Sequence, residues 1–223
     1  MNSSDPREII VRQMGLREYP GIWRRMQSFT AAREAGTTDE LWLLEHHPVF
    51  TQGLNGKSLH LRNTGDIPVV AVDRGGQVTY HGPGQLIAYV LLDLTRRKLG
   101  VKQLVQDLEQ SVIALLSEYG IQARGDRKAP GVYIGGKKLA SLGLRVRHGR
   151  CYHGMSLNVD MDLSPFTRIN PCGYADMQVT QLRDEGVRES MLQVSDRLQS
   201  HLLEILGYTR ACYHNEYRHV TAC

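Results

Sequence analysis

The sequence predicts an α/β fold in which a mixed, hairpin-rich β-sheet is packed by helices, and three observations lead there. The apolar run 86–92 is hydrophobic on both faces, as a doubly covered central strand is. Two turn signals, Gly135-Gly136 and His148-Gly149, join three strand-like segments into consecutive hairpins. Stretches of helical apolar spacing lie before, between and after these segments. Because hairpins dominate the centre, a mixed sheet is favoured over a doubly wound parallel one.

Taken in order, residues 20–35 read as a helix. Pro20 suits its first turn, Ile22, Trp23, Met26 and Phe29 share a face, and Gly36 stops it. Segments 41–45 and 68–72 are short, apolar and bounded by turn residues, as strands are. Residues 101–119 form the clearest helix, with Val101, Leu104, Val105, Leu108, Val112 and Leu115 on one face and Gly120 as its stop. Strands 132–134, 138–147 and 151–159 follow, and a last amphipathic helix covers 187–206.

A chain of 223 residues can bury roughly 70% of its unfolded surface, so it needs neither disulfide nor metal to fold. Hydrophobic residues at 41% and charged residues at 22% are those of a globular protein. The formal charge of +4 suits acidic protein partners and nucleic acid about equally. No aromatic–basic alternation of an RNA-binding strand is present, so no nucleic-acid partner is expected. The N-terminus lacks the pattern of a secretory signal, and the longest apolar run is far short of the ~20 residues of a membrane span. No membrane association is expected, and the location expected is the cytoplasm. Cys151, Cys172, Cys212 and Cys223 show no C-x-x-C spacing, so free thiols in a reducing compartment are expected. The histidines lack metal-ligand spacing, and neither metal nor cofactor is expected. No repeat or linker divides the chain, which reads as one domain, 1–223.

Four segments carry candidate chemistry. Arg74-Gly75-Gly76-Gln77-Val78-Thr79-Tyr80-His81-Gly82-Pro83-Gly84-Gln85 places four glycines within eleven residues, just before the buried strand. Such a segment either lets backbone amides approach a ligand, with Arg74 and His81 orienting an anionic or carbonyl oxygen, or is a hairpin loop whose glycines serve turns. Lys138 falls in phase with Ala140, Leu142, Leu144 and Val146, and so on the core-facing side of its strand, with Lys137 on the other. An inward lysine either reaches water at a strand end or is desolvated and able to exchange a proton near neutral pH. Cys172, between Pro171 and Gly173, lies in a loop or tight turn, as an accessible nucleophile or an incidental thiol. Finally, His153-Gly154-Met155-Ser156 lies across a hairpin from Ser141-Leu142-Gly143, where small residues on paired strands leave room for a ligand or merely for ordinary sheet packing.

Together these segments resemble the lipoyl(octanoyl) transferases of lipoate biosynthesis. The resemblance rests on R-G-G, T-Y-H, G-Q and a tyrosine from Arg74 to Tyr89, on the lysine strand Gly136-Lys137-Lys138-Leu139-Ala140-Ser141-Leu142-Gly143, on His153-Gly154-Met155-Ser156-Leu157-Asn158, and on Asn170-Pro171-Cys172-Gly173. It covers about 41–182, and four motifs in the family's order are far more specific than any one. It implies the fold of biotin and lipoate protein ligases. It further implies a ping-pong reaction in which Cys172 takes an octanoyl group from octanoyl-[acyl carrier protein] as a thioester. A lysine of a lipoyl domain of a 2-oxoacid dehydrogenase E2 subunit, or of the glycine-cleavage H protein, then takes it as an amide. Lys138 is implied to lower the thiol pKa, and the acyl chain to lie against 74–81, 141–143 and 154–156. Two other readings are weighed: an ATP-dependent lipoate or biotin ligase of the same fold, and a non-catalytic lipoyl-domain binder.

Overall fold

The computed structural model describes residues 7–170, 177–216 and 220–222; Cys172 and Cys223 lie outside the described residues. Its frame is a nine-stranded sheet in the order β12-β11-β1-β2-β6-β10-β9-β8-β7. The strands are β1 (Glu8–Arg17), β2 (Asp39–His46), β6 (Gln85–Leu91), β7 (Arg124–Gly125), β8 (Gly131–Ile134), β9 (Lys137–Arg147), β10 (Arg150–Asn158), β11 (Arg210–Asn215) and β12 (Val220–Ala222). β1 runs parallel to β2 and β11, whereas the β2–β6–β10–β9–β8–β7 half is antiparallel throughout, so the sheet is mixed as expected. A small second sheet, β4-β3-β5, is built from β3 (Val49–Gln52), β4 (Val69–Ala71) and β5 (Val78–His81).

Every residue of β6 is buried, because both faces of the large sheet are covered. Helix α2 (Val101–Glu118) and helix α3 (Met191–Ile205) pack Leu104, Leu108, Val112, Val194, Leu198 and Leu202 on one face, against Leu41, Leu43, Ala88, Val90 and Leu157. Helix α1 (Tyr19–Ala32) packs Ile22 and Met26 on the other, against Trp42, Tyr89, Leu91 and Tyr152. Alternation along β2 and β6 assigns these sets, and each buried leucine contributes roughly 1.5–3 kcal/mol. α1 and α2 match their expected spans closely. α3 starts at Met191, later than expected, because Ser190 and Gln193 form a reciprocal capping box there.

The thiol expectation divides. Cys151 is free, but fully buried in β10, and burial pushes its pKa up to about 12. Cys212 in β11 is disulfide-bonded, which corrects the free-thiol reading. Spacing along the chain does not reveal which thiols a fold brings together. Among the described residues, no helix is long and apolar enough to cross a membrane.

Candidate active site

On the face covered by α1, the large sheet carries a narrow slot. The ladders align Tyr89, Gly154 and Gly143 in one row and Ile87, Ser156 and Ser141 in the next. Small side chains in β9 and β10 keep this area low, and the segment 74–79 descends onto it. Gly143 lets it approach closely: a Cβ there would stand 3.1 Å from Gly75 O and 3.2 Å from Arg74 Cδ. The cavity is about 50 Å³ and is lined by both rows, by Arg74 and 76–79, and by Tyr19, His81 and His153.

The structure thus brings together Arg74, Gly76, Gln77, Val78, Thr79, His81, Ser141, Leu142, Gly143, Gly154, Met155 and Ser156. Gly75 lies on the far side of the segment, facing a neighbouring groove. Tyr80 alternates away from the slot and packs among Phe50 and Phe166, with ring centroids 5.4 and 5.6 Å distant. The glycine-rich segment is only partly loop, since Val78–His81 is a strand paired with β3. Arg74 ties the segment to itself. Its guanidinium donates to Thr51 O (2.7 Å), Thr51 Oγ1 (2.9 Å), Gln77 O (2.9 Å) and Gly75 O (2.9 Å).

A chain of side-chain and backbone hydrogen bonds runs from this segment to the backbone of Lys138. His81 Nδ1 lies 2.7 Å from Gln85 Oε1. Gln85 Nε2 donates to Asn158 Oδ1 (2.8 Å), Asn158 Nδ2 to Thr180 O (2.9 Å), and Thr180 N–H to the Lys138 carbonyl (3.0 Å). The amide oxygen of Gln85 can only accept, so His81 carries its proton on Nδ1 and takes the Thr51 hydroxyl on Nε2 at 3.3 Å. His46 is held likewise, by Arg17 O at 2.9 Å and the Tyr89 hydroxyl at 2.8 Å. None of Gln85, Asn158, Thr180 or His46 was marked as a site residue. For Gln85, Asn158 and His46 the available signal was a polar residue at the end of an apolar strand, which demands a partner when buried.

Burial lowers the pKa of His46 to about 4 and of His81 to about 3, so both are neutral at pH 7. The unfolded chain takes up these protons below about pH 6.5, and the folded chain refuses them. Stability is therefore complete above that pH and falls by about 1.4 kcal/mol per unit and histidine on acidification. We expect the two together to remove roughly 4 kcal/mol between pH 7 and pH 5. Urea midpoints measured at both values test this, and equal midpoints would refute it.

Asp73 is likewise absent from the site residues expected from sequence, and it braces the slot's inner wall. Its carboxylate accepts Trp23 Nε1 (2.9 Å) and Gln27 Nε2 (3.1 Å) from α1, and His153 Nε2 (3.0 Å) and the Tyr152 hydroxyl from β10. Burial alone would raise its pKa. The four donors outweigh that and hold the carboxyl well below the usual range. His153 reaches Asp73 from a left-handed backbone (φ 63°), a conformation costing a non-glycine residue about 1–3 kcal/mol.

Lys138 is buried and Lys137 exposed, as the alternation argument expects, but on the opposite face from the one expected. β9 carries a bulge: Val132 pairs with Ala140, yet Tyr133 pairs with Lys138, leaving Leu139 unopposed. Paired residues share a face, so Lys138 sits with Tyr133, Gly131 and Ser141 on the slot side, not with Ala140 in the helix-covered core. Its Nζ lies 5.4 Å from the Tyr133 ring centroid. The side chain crosses Gly131, where a Cβ would stand 2.4 Å from Lys138 Cε. Gln178 O accepts the Lys138 N–H at 2.8 Å, so the segment that follows 171–176 is clamped to the lysine's own backbone. Behind it, buried Glu109 of α2 accepts the Gly131 N–H at 2.9 Å.

With this geometry in hand, residues 20–203 match the lipoyl protein ligase A/B catalytic domain. The chain is 56% identical to an octanoyltransferase of Nitrosococcus oceani, over 93% of each chain. It is 57% identical to an octanoyltransferase of Stutzerimonas stutzeri, over 91% of this chain and 93% of the relative. Among solved structures, a lipoate-protein ligase A bound with ATP aligns with a TM-score of 0.72 at 17% identity, over 97% of this chain and 90% of that one. A biotin protein ligase from Aquifex aeolicus in complex with biotin and ATP aligns with a TM-score of 0.54 at 16% identity, over 88% and 69%. Fold and slot together define an enzyme built on the catalytic domain of the lipoate and biotin protein ligases. The chain belongs to the lipoyl protein ligase A/B catalytic-domain family and, within it, to the octanoyltransferases; it is an acyltransferase.

Proposed function

We propose that the chain, acting as one catalytic unit in the cytoplasm, transfers an octanoyl group from octanoyl-[acyl carrier protein] to the ε-amine of a lysine, through a thioester on Cys172. The acceptors are lipoyl domains of 2-oxoacid dehydrogenase E2 subunits and the glycine-cleavage H protein. One observation carries this reading. A buried lysine stands beside the slot, and its backbone is gripped by Gln178 and Thr180, a few residues beyond the position of Cys172.

The chemistry follows from that neighbourhood. An unperturbed thiol, with a pKa of about 8.5, is only about 3% thiolate at pH 7. A pKa lower by about two units would make most of it reactive, and an adjacent ammonium supplies such a shift. The thiolate attacks the donor's thioester carbonyl, and the carrier's sulfur leaves and takes the proton. The acceptor amine then attacks the new thioester, loses a proton as the amide forms, and expels the Cys172 sulfur. Thioester exchange is nearly isoenergetic and aminolysis runs downhill, so the sequence needs no ATP. An eight-carbon chain in the slot contributes at most ~5 kcal/mol, at about 0.8 kcal/mol per methylene. The Cys172→Ala protein is expected to lose transfer from octanoyl-carrier, with or without ATP, and to show no octanoyl adduct by intact mass spectrometry. Retained transfer would exclude covalent catalysis, and strict ATP dependence with free octanoate would favour a ligase.

A further inference from the structure

Beside the acyl slot lies a larger groove of about 450 Å³. The two share Gly76, Gln77, Leu142 and Gly143, so they meet along a common wall. The groove exists because β8 leaves the edge of β9 at the Gly131–Ser141 pair. Beyond that point the edge receives Gly75 N–H on Leu144 O at 2.9 Å, and residues 128–130 form the opposite bank. That bank runs directly into Gly131, on which the Lys138 side chain rests. The groove therefore leads outward from the wall it shares with the slot, along a bank that ends beside the lysine.

Its lining is mixed in a particular way. Val101, 43% exposed, and Val105 supply an apolar strip at the start of α2. Gln77 Oε1, on the shared wall, is buried and has no hydrogen-bond partner among the described residues, an acceptor suited to an N–H. Lys128 lines the outer part, flanked by exposed Arg124 and Arg127 and by Asp126, whose carboxylate accepts the Lys128 backbone N–H at 2.8 Å.

We propose that this groove seats the phosphopantetheine arm of the acyl donor. The arm's chemistry matches the lining in order: a thioester at the junction with the slot, amide N–H groups for Gln77 Oε1, a gem-dimethyl carbon for the valine strip, and a phosphate for Lys128. The assignment rests on the reading in which the acyl group arrives as a carrier thioester. It assigns the octanoyl chain and the arm to separate cavities that meet along the wall of Gly76, Gln77, Leu142 and Gly143.

The test compares octanoyl-4′-phosphopantetheine, octanoyl-pantetheine and octanoyl-N-acetylcysteamine as donors, with acylation followed by intact mass. Lys128→Glu is expected to raise KM about tenfold for the phosphorylated donor, as loss of a charge-assisted contact does. It is expected to change KM less than twofold for the other two. Equal losses on all three donors, or none on any, overturn the proposal. Affinity for octanoyl-4′-phosphopantetheine, measured by calorimetry, separates this proposal from the acyl-enzyme reading. If the parent protein binds the compound without gaining acyl mass on Cys172, covalent catalysis fails. Weaker binding by Lys128→Glu still supports the groove, and unchanged binding refutes it.

Discussion

Replacing Lys138 by methionine is expected to slow acylation of Cys172 by two to three orders of magnitude while the protein stays folded. Methionine keeps an unbranched apolar stem across Gly131 and beside Tyr133, so packing is preserved. What disappears is the ammonium, and with it both the field that favours a thiolate and a proton donor and acceptor, a group typically worth 10²–10⁴ in rate. The readout is the rate of Cys172 alkylation against pH. In the variant the profile should move up by about two units, so that activity returns in part at pH 9. Cys151 does not confuse the measurement, because it is fully buried and its pKa is pushed up to about 12. An alkylation rate and pH profile identical to the parent's would show that the lysine has no part in activating the thiol.

The second large effect is structural and falls on Gly154. An alanine Cβ there would stand 2.0 Å from Ala88 O and 3.1 Å from Tyr89 Cα, both backbone atoms of β6. β6 is held between β2 and β10, so it cannot retreat without opening ladders on both sides. Gly154→Ala is expected to cost about 3 kcal/mol or more, lowering the urea midpoint by on the order of 1 M. Gly75→Ala is the matched control, since the nearest atom to a Cβ there is Leu144 O at 3.3 Å. A midpoint for Gly154→Ala within 0.2 M, roughly the extrapolation error, of the control's would disprove the argument.

The slot was legible in good part because its residues come in local clusters. The glycine-rich segment and the small residues of one hairpin are each visible within a dozen positions, and the hairpin turn fixes which residues face each other. Twelve positions named from sequence do line the cavity. Gly75 and Tyr80 share the motif but not the cavity, since alternation within β5 sends Tyr80 the other way. The helices were legible for the same local reason, an apolar spacing that repeats every three to four residues. β1, β3, β5 and β11 were not. Each is short or lacks strict alternation, and each takes its partner from distant sequence: Ile9 opposite Asp39 and Ala211, Phe50 opposite Tyr80.

By itself, the sequence determined the class of fold, the central buried strand, the hairpin that floors the slot and the candidate pair Lys138 and Cys172. The first three follow from periods of two and 3.6 residues and from local turn chemistry, which need no tertiary partner; the candidate pair follows from the resemblance of its motifs to those of the family. Only the tertiary structure decided which face Lys138 takes, because one bulge residue, Leu139, reverses side-chain alternation without leaving a mark in composition. Only the tertiary structure revealed Asp73 as the brace of the inner wall, because its four donors lie 46 to 80 residues away along the chain. A hydrogen-bonding group cannot announce a partner that the backbone has yet to bring to it.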